Sequence, residues 1–276
     1  MSTDAPRPLS EPRDAATVVL VRPTSPAFEV LLLRRHGKSG FMANAYVFPG
    51  GKRDEADGQA PSDRLGLSGD EAAQVLGEDL TPERALGHFV AAARETWEEA
   101  RVWLGTGPTA SDVESGTLFF DLLGRPETQV TLAALRYLAF WTTPVVEPRR
   151  FATRFFVCEV PADQVARHDA HETTEHLWLA PAEAVARYAE GTLALAPPTL
   201  RILEELAGCP TVAAALALAP HAPMSSTTPE FLMDGTAACL VLPGDPLHPT
   251  APGTVPDRFV LQGGRWLSVR PELSAA

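Results

Sequence analysis

The segment Arg94-Glu95-Thr96-Trp97-Glu98-Glu99-Ala100 constrains this chain more than any other. Its carboxylates at 95, 98 and 99 follow i, i+3, i+4 spacing, which places them on one face of a helix. At ~100° per residue they lie within ~60° of Glu95, while Val90, Ala93, Trp97, Ala100 and Leu104 centre ~180° away. The pattern predicts a docked helix from Pro82 to Leu104, apolar toward a core and acidic on the other side. Thr81 supplies an N-cap and Pro82 a first helical residue. Like charges this close repel, so the ridge needs a positive group in front of it. Oxygen-only donors favour a hard divalent cation, Mg²⁺ or Mn²⁺. The plain alternative is a solvated acidic face. Three features outweigh it: Arg94 four residues before Glu98, the apolar stripe, and the turn Phe48-Pro49-Gly50-Gly51 after the strand-like Ala45–Phe48.

These residues resemble the Nudix hydrolase signature, Gly-x5-Glu-x7-Arg-Glu-apolar-x-Glu-Glu-x-Gly-apolar. Gly51 matches the first glycine, and Asp57 falls where the first Glu is expected. Arg94, Glu95, Glu98 and Glu99 match the helical half, and Val102 matches the closing apolar position. Thirty-six residues separate Asp57 from Arg94 where the pattern has seven, so an insertion lies inside the motif. Thr96 takes the first apolar place. Arg101 stands where glycine closes the helix, and the apolar stripe suggests that the helix instead continues a turn to Leu104 before Gly105.

Elsewhere, Ala16–Val21 and Glu29–Arg34 read as a hairpin, Leu135–Thr142, Arg154–Glu159 and His176–Leu179 as strands, and Ala184–Tyr188 and Leu200–Ala207 as helices. Ser68–Leu76 reads as a short capped helix within the insertion. This is an α/β chain. The resemblance implies an α/β/α sandwich around a mixed sheet. The expected organisation is a tail over 1–13, a catalytic domain over 14–207 with its insertion at about 58–81, and a C-terminal extension over 208–276. In the extension, Arg258–Leu267 reads as a hairpin turning at Gly263-Gly264.

Within the family, Phe41–Gly51, Trp141-Thr142-Thr143-Pro144, Arg149-Arg150-Phe151 and Leu195-Ala196-Pro197-Pro198-Thr199 are similar to the acyl-CoA diphosphatase branch. That likeness covers roughly residues 15–205. It implies metal-dependent cleavage of CoA or acyl-CoA to 3′,5′-ADP and 4′-phosphopantetheine. The alternatives are a pyrophosphatase for NADH, ADP-ribose or dinucleoside polyphosphates, and a non-catalytic nucleotide-binding module. The expected metal ligands are Glu95, Glu98 and Glu99, with the Gly51 backbone beside them. Arg94 is a further catalytic candidate, and the general base is left among Glu95, Glu172 and Glu175. Gly50 and Gly51 let a substrate approach the backbone closely. Arg34, Arg35, Arg149, Arg150 and Arg154 are candidates for phosphate contacts, because guanidinium forks suit phosphate.

The formal net charge of −12 argues against a general nucleic-acid binder, whose phosphate-neutralising footprint is missing. Cys158, Cys209 and Cys239 show neither metal spacing nor a disulfide framework, which points to a reducing cytoplasm. No apolar run approaches membrane-spanning length, so no membrane partner is expected. The expected partner is a small nucleoside diphosphate derivative, and a homodimer is possible by analogy with relatives.

Overall fold

The structure is a computed structural model that describes residues 10–25, 27–37, 44–77, 80–169, 173–220 and 223–270. By contact the chain divides into two units. The larger holds residues 15–140 and 153–225, and the smaller holds residues up to 14, 141–152 and 226 onward.

β1 (Arg13–Pro23), which enters the larger unit at Ala15, and β2 (Phe28–Arg35) form the expected antiparallel hairpin, with Val21 opposite Val30. Val18–Val21 and Val30–Leu33 are wholly buried. Strands buried at every position, with no alternation, must be covered on both faces. β3 (Tyr46–Val47) pairs with β2, and β4 (Gly50–Lys52) pairs with β1. Helices α1 (Glu55–Gly58), α2 (Gly69–Leu76) and α3 (Pro82–Ala100) follow. Next come β5 (Gly105–Thr106), α4 (Ala110–Ser115), α5 (Phe119–Leu123) and β6 (Gln129–Val130). Strands β7 (Arg136–Thr142), β8 (Phe151–Glu159) and β9 (Thr173–Leu179) complete a sheet of order β3-β2-β1-β8-β7, with β9 antiparallel to β2 and β4 on β1. Helices α6 (Pro181–Glu190), α7 (Pro197–Leu206) and α8 (Val212–Ala217) close the unit.

The smaller unit carries β10 (Glu230–Asp234), β11 (Ala237–Val241), β12 (Arg258–Gln262) and β13 (Arg265–Val269) as an antiparallel meander. The Gly263-Gly264 turn joins β12 to β13 with both φ values positive, as a two-residue hairpin requires. Buried Asp245 accepts two hydrogen bonds from the Arg258 guanidinium, at 2.8 and 2.9 Å.

Helix α3 positions everything that follows. Thr81 Oγ1 accepts from the Arg84 N–H and Pro82 sits in the first turn, as the sequence predicts. The predicted apolar stripe is buried: Val90, Ala93, Trp97 and Ala100 all face the interior. Phe89 meets Phe156 of β8 with ring centroids 4.7 Å apart, and Trp97 meets Trp103 edge-on at 5.6 Å. Thr96, the polar residue in an apolar motif position, is fully buried and returns its hydroxyl to the Ala92 carbonyl at 2.8 Å. The insertion folds back on the start of α3. In α2, Ser68 and Glu71 form a capping box, and Ala72 and Leu76 are buried.

The end of α3 differs from the sequence expectation. The helix ends at Ala100, not Leu104, because Arg101 turns left-handed at φ 55° and ψ 30°. Arg101 thus occupies the backbone conformation that the motif's glycine adopts without a Cβ penalty. Burial of Val102, Trp103 and Leu104 continues past the break, which is why the stripe looked helical. Replacing Arg101→Gly is expected to stabilise the fold by ~0.5–1 kcal/mol in denaturant unfolding, since it relieves a positive φ. A destabilised variant would mean that the arginine side chain contributes more than its backbone strain.

Candidate active site

Every N–H of the Arg94 guanidinium is used. Nε donates to Asp57 Oδ1 at 2.8 Å, and Nη2 to Asp57 Oδ2 at 3.0 Å and to the Lys52 carbonyl at 2.9 Å. Nη1 donates to Glu95 Oε1 at 2.7 Å and to Glu98 Oε2 at 3.0 Å. Burial alone would lower the Arg94 pKa, but hydrogen bonding to Asp57 and the charges of Glu95, Asp57 and Glu98 outweigh it and drive it up. Arg94 therefore ties α1, β4 and two carboxylates of α3 to one point. Asp57 is completely buried and also accepts from the Asp54 N–H at 2.7 Å. The chain returns Asp57 to Arg94 despite the insertion.

The glycine turn meets the same ridge. A Cβ on Gly51 would fall 2.6 Å from the Glu95 carboxyl carbon and from both its oxygens. A Cβ on Gly50 would lie 2.5 Å from the Ala16 carbonyl of β1, and the Gly50 N–H donates to Glu99 Oε2 at 2.9 Å. Both glycines are required by close approach. Glu95, Glu98, Glu99 and Arg94 thus share one neighbourhood with Gly50 and Gly51, and the donors on it are all oxygens. Among the described residues no three acidic, histidine or cysteine side chains already converge as a cage. Glu95 and Glu98 are turned to Arg94, and Glu99 to the Gly50 amide.

The remaining candidates fall elsewhere. Glu175 accepts from the Tyr46 hydroxyl at 2.8 Å and lies 3.5 Å from Arg34 Nη1, so it is held within a Tyr46–Glu175–Arg34 cluster on β3, β9 and β2. Glu172 lies outside the described residues. Arg35 donates its backbone N–H to the Ala45 carbonyl, while its Nε is buried with no hydrogen-bond partner. Arg154 corrects the sequence expectation of a phosphate contact. It is buried, with Nη1 3.0 Å from His88 Nε2 and its guanidinium 4.3 Å from the Phe140 ring centroid. β8 is buried continuously from Arg154 to Cys158, which leaves that side chain in the core. Arg150 belongs to the smaller unit, where it donates to the carbonyls of Thr143 and Ser10, and Arg149 of that unit is exposed.

Sequence reasoning missed Tyr46, the Lys52 carbonyl and His88. Tyr46 follows directly in the strand before the glycine turn, but its partner is 129 residues away. A backbone carbonyl leaves no sequence signal. Burial, and then the hydrogen bond and charge of Glu175, push the Tyr46 hydroxyl up to about 12. Its pKa is raised on folding, so its contribution is complete below the unfolded value of ~10 and disappears as pH climbs toward 12. The stability difference between wild type and Tyr46→Phe should be constant in neutral solution and shift against wild type above ~pH 10. A pH-independent difference would remove Tyr46 from that cluster.

No family model matches the chain. Acyl-coenzyme A diphosphatase NUDT19 of Gallus gallus is 30% identical over 250 residues, covering 67% of this chain and 65% of that protein. The Xenopus laevis protein of the same name is 28% identical over 226 residues, covering 65% and 60% respectively. The chain therefore spans under two thirds of the length of these curated relatives. Among solved structures, a NUDIX hydrolase from Alicyclobacillus acidocaldarius superposes with a TM-score of 0.60 at 26% identity, covering 75% of this chain and 96% of that one. Motif, helix geometry and likeness to known proteins lead to one conclusion: this chain belongs to the Nudix hydrolase family.

Proposed function

We propose that this chain hydrolyses a nucleoside diphosphate-linked substrate with Mg²⁺ or Mn²⁺, and that the substrate is CoA or an acyl-CoA. The observation that carries the reaction class is the approach of Glu95 and Glu99 to the Gly50-Gly51 turn, with Arg94 fixed on buried Asp57 behind them. This donor set fits a hard divalent cation in chemistry: Glu95, Glu98 and Glu99 would hold it, with the Gly51 backbone alongside. Bound there, the ion would supply positive charge to the diphosphate and acidify an attacking water.

The chain's own residues do the rest. Arg94 restrains the rotamers of Glu95 and Glu98, which limits the reorganisation that ligand binding requires. The Gly50-Gly51 turn offers backbone without Cβ bulk to an incoming phosphate. Arg35, whose Nε is buried with no hydrogen-bond partner, remains a candidate anion contact. Glu175 is held by Tyr46 and Arg34, which weighs against it as general base.

The CoA assignment rests on the names of the two relatives and on the motifs shared with that branch. The partner is a small molecule. No helix among the described residues is long and apolar enough to cross a membrane.

A substrate panel with Mg²⁺ or Mn²⁺, read by phosphate release after phosphatase coupling, tests the reading. CoA or an acyl-CoA should turn over best. Turnover of NADH, ADP-ribose or a dinucleoside polyphosphate with CoA untouched would overturn the substrate. No turnover of any of them would overturn the hydrolase. Glu99→Gln should lower kcat by at least ~10²-fold with stability nearly unchanged, because the amide keeps the Gly50 hydrogen bond but not the charge.

A further inference from the structure

A cavity of about 460 Å³ opens at the far end of α3, on the side away from the carboxylate ridge. Trp97, which lines it, lies ~160° around the helix from both Glu95 and Glu99. Arg101 and Arg167 are also among its lining residues. Neither has a carboxylate within ion-pair distance among the described residues, even though Glu114 and Asp163 stand on the same wall.

Arg101 reaches the cavity because the helix breaks there. On a continuous helix, residue 101 would lie ~60° from Glu98, on the acidic side. Its left-handed backbone instead takes the side chain around to the Trp97 ring, 5.8 Å from the ring centroid. The strained φ and the cation's direction are thus one feature. The opposite wall is pinned. The Arg167 N–H donates to the Ala100 carbonyl at 2.8 Å, and the Gln164 side chain bonds both the N–H and the carbonyl of Trp103 at 2.7 Å. The cavity is pre-formed rather than assembled on binding, and its volume suits a small ligand.

We propose that this cavity is a second ligand site, separate from the carboxylate ridge, for a small organic monoanion with a compact apolar body. Arg101 and Arg167 bind the anionic group, and the apolar wall around Val113 and Pro108 holds the body. Glu114 and Asp163 in the same lining oppose negative charge in proportion to its size, so a diphosphate is disfavoured relative to a single carboxylate.

The test is calorimetric titration of benzoate into metal-free, full-length protein, with benzyl alcohol as the uncharged counterpart. Benzoate should bind saturably at one site, and benzyl alcohol at least ~10-fold more weakly. Arg167→Ala, at an exposed position, and Arg101→Gly should each weaken benzoate by a similar factor while both proteins remain folded. Lack of saturable benzoate binding, equal binding of benzyl alcohol, or benzoate binding unchanged in both variants would overturn the proposal. Because metal is absent and the readout is binding, the outcome does not depend on turnover at the carboxylate ridge.

Discussion

The buried pairing of Arg94 with Asp57 is the interaction on which the site depends. A guanidinium taken out of water needs every donor satisfied, and here all are. Removing one partner of such a pair typically costs 3–5 kcal/mol, roughly the scale at which a domain's stability is decided. The same geometry has a local consequence. Two of the three ridge carboxylates point at Arg94, so the repulsion among them is offset before any ligand arrives.

The insertion is accommodated because both of its ends are anchored to α3. Asp57 reaches Arg94 in the middle of the helix, and the chain then packs α2 along its start, where a Cβ on Gly69 would meet Pro82 at 2.9 Å. A long excursion between two motif halves costs little in loop entropy when it buries its own apolar residues, here Leu65, Ala72 and Leu76.

Much of this was legible in the residues. The phase of α3, its N-cap, the capped α2, the first hairpin and the Gly263-Gly264 turn all follow from local chemistry, because capping, periodicity and positive-φ turns act over a few residues. What escaped is tertiary. The end of α3 was misread because burial of Val102–Leu104 persists beyond the helical backbone and arginine is an uncommon left-handed residue. Asp57 could be aligned with the motif but not paired with Arg94 across the insertion. The Tyr46–Glu175–Arg34 cluster joins three strands far apart in sequence, and the burial of Arg154 depends on which face of β8 meets α3. Arginines read one at a time as phosphate ligands were sorted only by their surroundings.

A carboxylate ridge on α3, set against a glycine turn, is proposed to hold a hard cation. Electron paramagnetic resonance of Mn²⁺ titrated into the substrate-free protein tests this without reference to any substrate. The expected result is saturable binding that is displaced by excess Mg²⁺ and severely weakened by Glu95→Gln and by Glu99→Gln. Mn²⁺ that remains free in solution, or that binds equally well to both variants, would contradict it.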